Sequence, residues 1–68
     1  MKYAVVIEKS ETGFGAYVPD LPECVAVGET LSETQGLIRE AIEFHLDGLR
    51  EDGLSIPDSS TVARYVEV

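Results

Sequence analysis

Apolar residues in this chain recur with a period of two residues before the Gly-Glu-Thr junction at residues 28–30, and with a period of 3.6 residues after it. Before the junction, apolar side chains alternate as they do in half-buried strands. After it, they recur every three or four residues, as on an amphipathic helix. In such a chain, the apolar stripe of the helix has to be buried against the apolar face of the sheet. We therefore predict an α+β fold in which a single helix covers one face of a small antiparallel sheet.

Three strands are predicted before the junction, over residues 2–8, 14–18 and 24–28. The first of these strands is apolar on both of its faces. The polar residues 9–13 end in glycine and fit a hairpin loop. Residues 19–23 are expected to leave the ladder, because two prolines there remove N–H donors and fix φ.

The helix is predicted to begin after Thr30, because Thr30 and Glu33 have the spacing of a capping box. Gly53 and Pro57 are expected to end it. A last strand over residues 61–68 completes the order β-β-β-α-β. The apolar helix face is predicted to hold Leu31, Thr34, Leu37, Ile38, Ala41, Ile42, His45 and Leu49, and the polar face Arg39, Glu40, Glu43, Asp47 and Arg50.

The predicted core is small for a stable domain. Residues 1–68 form one domain, and its single cysteine, Cys24, cannot make an internal disulfide. No Cys/His set suits a structural zinc site, and one helix leaves a sheet face uncovered. We therefore expect a homo-oligomer, a dimer or tetramer, in which Val62, Val66 and Val68 could pair with the edge of another chain.

The formal net charge is −8, with five basic and thirteen acidic residues. Nucleic-acid affinity comes largely from Lys and Arg replacing counterions on phosphate, so direct DNA or RNA binding is not expected. The charge favours a basic protein as partner, and keeping a small domain soluble is an alternative reason for it. No apolar run approaches a membrane span and no signal-peptide core is present, so a cytoplasmic location without membrane contact is expected.

Few residues could carry chemistry. His45 falls on the apolar helix face, where packing is expected rather than catalysis, and Cys24 is expected to be a small buried hydrophobe. Asp20 and Glu23 could meet a cation, but acids in turns commonly form the turn or face solvent. The sequence therefore predicts no enzyme, cofactor or metal site, with a metal-dependent nuclease acting through Asp20 as the remaining enzymatic alternative.

The segment GFGAYVPDLPECVAVGET, residues 13–30, resembles the signature of the HicB family of antitoxins. The family pattern has an aromatic residue, Ala, Pro-Asp-Leu-Pro, Cys, a short strand and Gly-Asp/Glu-Thr. Glu-Ala-Ile at residues 40–42, the leading strand and Ile-Pro at residues 56–57 also fit, so the resemblance covers nearly the whole chain. The signature residues of this chain are Pro19, Asp20, Leu21, Pro22, Cys24, Gly28 and Thr30.

The resemblance implies a partial RNase H-like fold that lacks the RNase H carboxylates. It also implies a partner, HicA, which is a small basic toxin that cleaves mRNA with a histidine and is blocked by contact with the antitoxin. Two features depart from the family. Glu23 stands where Gly is usual, and the sequence reaches Val68 without the C-terminal DNA-binding domain of full-length HicB. We therefore expect the short, stand-alone form, without operator binding.

The sequence as a whole predicts a non-enzymatic antitoxin of a type II toxin–antitoxin pair, which masks a HicA-type toxin. The alternative is an orphan HicB-like oligomer with a structural or regulatory role and no toxin. The acids expected to contact a basic partner are Asp20, Glu23, Glu29, Glu40, Glu43 and Asp47.

Overall fold

The computed structural model describes all residues, 1–68, and contains three strands and one helix. The strands are β1 (Val6–Lys9), β2 (Phe14–Val18) and β3 (Leu21–Gly28), and the helix α1 spans Leu31–Glu51. The strands form one antiparallel sheet in the order β1-β2-β3, so β1 and β3 are its edges. The predicted small α+β fold is confirmed.

The register of the sheet separates its side chains into two faces. Ile7, Ala16 and Ala26 align across the three strands and pack in the core beneath α1. Tyr17 and Val25 align on the opposite face, where Val25 is 64% exposed. The single helix therefore covers one face of the sheet. Apolar side chains on the other face stay exposed to water.

The core lies between α1 and the strands β2 and β3. On the helix it is built from a stripe at four-residue spacing, in which Thr34, Ile38 and Leu46 are buried. The predicted apolar face omitted Leu46 and included Leu31 and Leu37, which are exposed. The reason is that β2 and β3 meet only the centre of the helix face, so residues at its margins stay in solvent. α1 lacks the hydrophobic length needed to cross a bilayer.

The helix begins and ends where its local sequence predicts. The Thr30 hydroxyl accepts a hydrogen bond from the backbone N–H of Glu33 at 3.0 Å. The Glu33 carboxylate reaches back and accepts from the N–H of Glu29, one residue before the cap, at 3.3 Å. After the helix, Gly53 adopts φ 69°, a left-handed conformation that glycine takes without strain.

The first and third strands differ from their predicted limits. The predicted first strand, residues 2–8, is too long at its start, because its pairing with β2 begins at Val6 opposite Tyr17 and β2 ends one residue later, at Val18. The third strand begins three residues earlier than predicted and includes Pro22. A proline fits there because β3 is an edge strand and one side of it needs no N–H donor.

The strand predicted over residues 61–68 is not formed in the single chain. These eight residues are all exposed and pair with none of the three strands of the sheet. A strand is stable only within a ladder, because its N–H and C=O groups need partners on a neighbouring strand. The last element of the predicted order β-β-β-α-β is therefore absent from the isolated molecule.

Candidate protein-binding site

The signature aspartate, Asp20, binds the chain that follows the helix. Its Oδ2 accepts hydrogen bonds from the backbone N–H groups of Ser60 and Thr61, both at 3.1 Å. Its Oδ1 accepts from the two hydroxyl groups, at 3.1 Å for Ser60 and 2.8 Å for Thr61. These bonds, led by the backbone N–H of Thr61, hold the pKa of Asp20 below its ordinary value. Asp20 is therefore an ionised clamp on this segment.

Residues 54–60 form a strap across the end of the sheet. The Tyr3 hydroxyl donates to the backbone carbonyl of Pro57, and Ile56 packs against the core. The Asp20 clamp then fixes the far end of the strap. The sequence pattern did not reveal this connection, since the only sign of it is the run of hydroxyl residues Ser59-Ser60-Thr61, forty positions from Asp20.

The signature glycine, Gly28, lies where β3 passes under the start of α1. A Cβ atom added at Gly28 would lie 2.5 Å from the Thr34 hydroxyl oxygen and 3.1 Å from the Thr34 nitrogen. Thr34 is completely buried, and its hydroxyl donates to the backbone carbonyl of Thr30 at 2.8 Å. This close approach requires glycine at position 28, so Gly28 and Thr30 together fix the junction between sheet and helix.

The remaining signature residues also have structural roles. Leu21 and Cys24 are buried in the core, whereas Pro19 and Pro22 are exposed at the turn and on the edge strand. The Cys24 thiol donates to the Ala41 carbonyl, with the sulfur 3.7 Å from the oxygen. Burial first, and the charge of Glu23 second, raise the pKa of this thiol. Cys24 is therefore a protonated packing group, as the sequence predicted.

The single histidine lies at the margin of the core. The His45 side chain is 25% exposed, and its Nε2 lies 3.4 Å from Oε1 of Glu23 on the edge strand β3. The sequence placed His45 near the centre of the apolar face, and the structure moves it to the edge because the buried stripe runs through Leu46 instead. The same contact places Glu23 beside α1. No three His, Cys, Asp or Glu side chains come together in a metal-binding arrangement.

The structure separates the six predicted contact acids. Asp20 precedes β3 and Glu29 follows it, so the whole length of that strand lies between them. Glu40, Glu43 and Asp47 lie together on α1, at spacings of three and four residues. Glu51 extends the same row by one turn and is not among the contact acids predicted from the sequence. We call these four exposed residues, Glu40, Glu43, Asp47 and Glu51, the acidic stripe.

The acidic stripe lies on the side of α1 opposite the buried stripe, given 100° per residue. Two of its members contact cations of the same helix: Glu43 lies 3.5 Å from Arg39 and Asp47 lies 3.1 Å from Arg50. Both ion pairs are exposed, and exposed pairs contribute only about 0–1 kcal/mol. All four carboxylates are therefore open to a partner.

An exposed aromatic ring accompanies the acidic stripe. Phe44 is 81% exposed, four residues after Glu40 and three before Asp47. Helical spacing places its ring beside both acids on the outward side of α1. A large aromatic side chain in water among charges is typical of protein-binding surfaces, where such residues anchor a partner. The outer face of α1 is therefore the candidate binding surface.

Comparison with known proteins relates the chain to antitoxins. The model of the HicB-like antitoxins of bacterial toxin–antitoxin systems matches residues 3–68. Antitoxin HicB 2 of Photorhabdus laumondii is 36% identical, over 100% of this chain and 50% of its own length. An uncharacterized 14.9 kDa protein of Haemophilus phage HP1 is 41% identical, over 97% of this chain and 50% of its own length.

A third relative is of similar size. The UPF0150 protein of Helicobacter pylori is 46% identical, over 93% of this chain and 89% of its own length. The chain thus spans about half the length of the Photorhabdus and phage proteins and most of the Helicobacter protein. The family match covers the strands, the helix and the signature residues together. On this evidence the chain belongs to the HicB-like antitoxin family.

Proposed function

We propose that the chain is a non-enzymatic, cytoplasmic antitoxin that binds a small basic HicA-type toxin and masks its mRNA-cleaving site. The contact surface in this proposal is the outer face of α1. The observation that carries it is the acidic stripe with the exposed ring of Phe44 beside it. Membership of an antitoxin family supports the proposed role.

The acidic stripe supplies the electrostatic part of the proposal. A toxin that binds RNA presents cations to the phosphate backbone. Glu40 and Glu51 have no Lys, Arg or His within 4 Å in their own chain, so their charges are not neutralised. Opposite potentials accelerate encounter and fix orientation. An acidic helix face is therefore suited to cover an RNA-binding surface.

Phe44 supplies the apolar part. Removing a phenylalanine side chain from water stabilises a complex by about 1.5–3 kcal/mol. In the single chain that free energy is not realised, because the ring is 81% exposed. The surrounding acids keep such a surface soluble when the partner is absent. Phe44 is therefore the residue from which the largest single contribution to affinity is expected.

Self-association is the second part of the proposal. α1 covers one face of the sheet, while Val25 and Val27 are exposed on the other, and residues 61–68 expose further apolar side chains. A domain of this size buries a limited core, so an oligomer adds apolar burial that one chain lacks. We propose a homo-oligomer whose outer helix faces stay free for the toxin.

The test is a titration of the purified toxin with charge-reversed chains. We expect Glu40→Lys with Asp47→Lys to weaken binding at least about tenfold, and Phe44→Ala to weaken it by a similar factor. The matched control is Glu8→Lys with Glu11→Lys, which makes the same charge change at exposed acids of the first hairpin. Equal weakening by both double reversals would show that total charge acts, and would contradict the helix surface.

The two alternatives give different results. An orphan oligomer would return only copies of this chain when it is captured from its native cell. A metal-dependent nuclease would cleave RNA when Mg²⁺ or Mn²⁺ is added and would lose that activity in Asp20→Ala. Because Asp20 accepts four hydrogen bonds from Ser60 and Thr61, the structure gives its carboxylate a different role.

A further inference from the structure

We infer that residues 61–68, the tail, form an exchanged strand that adds to the free edge of β1 in a second copy of this chain. In that position the tail lies in the groove between the N-terminal strand and α1. The inference rests on the self-association proposed above and names the segment and the surface that produce it. It does not depend on toxin binding.

The tail has the composition of a β-strand, although no other strand pairs with it in the single molecule. Five of its eight residues are β-branched or aromatic, the types that favour pleated, half-buried surfaces. Val62, Val66 and Val68 alternate on one side of an extended chain, and Tyr65 lies on the other. All four side chains are largely or fully exposed in the single molecule. The apolar side chains of the tail are therefore not buried by any part of their own chain.

The first residue of the tail, Thr61, is held in place, whereas the residues after it are not. The Asp20 clamp holds Ser60 and Thr61 at the β2–β3 turn through four hydrogen bonds. The seven residues after Thr61 span roughly 23 Å when extended, at ~3.3 Å per residue. Their one side-chain hydrogen bond joins Arg64 to the neighbouring Ala63 carbonyl. The tail is thus presented to other molecules from a defined point.

The acceptor surface is an open corner of the core. β1 is an edge strand, and a groove of about 470 Å³ lies between its N-terminal side and α1. Tyr3, Val5 and Ile7 line one wall of the groove, and Ile38 and Ile42 are among the residues of the helix wall. Tyr3 and Val5 precede β1 and Ile7 lies in it, and the three alternate at the same two-residue spacing as the valines of the tail. A strand added beside β1 therefore directs the valines into the groove.

The distribution of charge along the chain is compatible with a second copy as the occupant. The tail holds one cation, Arg64, and one anion, Glu67, so the net charge of −8 lies entirely on residues 1–60. The tail is therefore a neutral, apolar segment that can approach another acidic body without repulsion. Arg64 lies on the valine side of the extended tail, and Glu43 lines the groove. Arg39 also lines the groove and pairs with Glu43, so the charged side chains of the rim balance each other, as those of the tail do.

The first test is the self-association of full-length variants, followed by analytical ultracentrifugation over a range of concentrations. We expect Val62→Ser with Val66→Ser to raise the dissociation constant at least about tenfold. The matched control is Ala63→Ser with Glu67→Gln on the other side of the tail, for which we expect less than about a twofold change. All four positions are exposed, so circular dichroism should show an unchanged fold.

The second test locates the acceptor by cross-linking. Chains carrying Val66→Cys are mixed with chains carrying Val5→Cys or Ile7→Cys and then oxidised. Exchange between chains predicts a disulfide-linked pair of the two different chains, because bonded cysteines need Cα atoms about 5.5–6 Å apart. The control pairs Val66→Cys with Glu11→Cys in the hairpin loop. The native Cys24 is buried and should not compete.

The outcomes are distinct. A wild-type chain that is monomeric at all concentrations contradicts self-association and the exchanged strand together. An oligomer that the two tail variants affect equally, with no specific cross-link, leaves self-association standing and overturns the exchanged strand. A tail that folds back on its own β1 would link Val5→Cys and Val66→Cys only when both are in one chain, which also overturns the exchange. Toxin binding is measured separately and decides neither result.

Discussion

At the scale of the residue, the Asp20 carboxylate connects two distant parts of the chain by accepting four hydrogen bonds from Ser60 and Thr61. The sequence alone predicts Asp20 as a contact for a basic partner, since nothing local to the Pro-Asp-Leu-Pro motif shows what its oxygens bind. The structure gives its carboxylate the strap as a partner. Asp20 therefore holds the start of the tail in position.

The pH dependence of this clamp follows from the lowered pKa of Asp20. A carboxyl group whose folded pKa is depressed contributes stability that is complete above its ordinary pKa of 3.8. That contribution is lost as the pH falls through the lower pKa of the folded state. We predict that the amide hydrogens of Ser60 and Thr61 lose their protection against exchange, relative to their intrinsic rates, as the pH falls below 3.8, before the sheet and helix lose protection.

The matching variants are Asp20→Ala and Asp58→Ala. The first should release the strap at neutral pH and increase limited proteolysis within residues 54–60. The second removes an exposed acid of the same segment, which accepts no side-chain or backbone hydrogen bond in the structure, and should leave cleavage unchanged. Equal cleavage of both variants, or no change in Asp20→Ala, would contradict the clamp.

At the scale of the element, the helix shows what local sequence determines. Its start depends on Thr30 and Glu33 and its end on Gly53, which lie within a few residues of the backbone groups they satisfy. The limits of helix α1 were therefore predictable. Strand limits depend on partners elsewhere in the chain, so the register shift at Tyr17 and the missing ladder of residues 61–68 were not predictable from local pattern.

The same reasoning applies to the candidate site. Helical spacing predicted Glu40, Glu43 and Asp47 on the polar face, and the structure places them there. The exposure of Phe44 follows from the same spacing, because position 44 lies outside the apolar face predicted for the helix. The contact between His45 and Glu23 could not have been inferred from the spacing, because it depends on where the edge strand β3 meets the helix.

Two glycines inside α1 give a stability prediction. A Cβ atom added at Gly36 or Gly48 would have no neighbour within 4 Å, so the structure of the single chain does not require glycine at either position. Each glycine costs a helix about 1 kcal/mol relative to alanine. We predict that Gly36→Ala and Gly48→Ala each raise the free energy of unfolding by about 1 kcal/mol in urea titrations.

The control for this prediction is Gly28→Ala. Its added Cβ would lie 2.5 Å from the Thr34 hydroxyl, so we expect a loss of about 1–3 kcal/mol instead of a gain. If Gly48→Ala stabilises the chain and weakens toxin binding, the partner packs closely against the helix beside Phe44. A destabilising effect of Gly36→Ala or Gly48→Ala would contradict the open surroundings of these positions.

At the scale of the whole molecule, the two proposed binding surfaces differ in character. The outer face of α1 is acidic, and the groove beside β1 is lined mainly by apolar side chains. The net charge of −8 favours the approach of a basic protein and opposes the approach of a second copy. The two proposed surfaces differ in charge and meet at Glu43, which belongs to the acidic stripe and also lines the groove.

This difference predicts opposite responses to salt. Screening shortens the reach of exposed charges, with a Debye length of about 8 Å at physiological ionic strength. We expect the affinity for the toxin to fall, and the affinity between copies to rise, as salt increases from about 0.05 to 0.5 M. The two dissociation constants are measured in the same buffers. A parallel response of both would show that one kind of surface serves both contacts.

The central claim is that this chain masks a small basic toxin. The most direct measurement captures the tagged full chain from its native cell, separates whatever co-purifies, and assays the separated protein for RNA cleavage with and without added chain. We predict a small basic protein that cleaves RNA when free and stops when the wild-type chain is added, but continues with Glu40→Lys and Asp47→Lys combined. Recovery of copies of this chain alone, or of a partner whose RNA cleavage the chain does not stop, would contradict the claim.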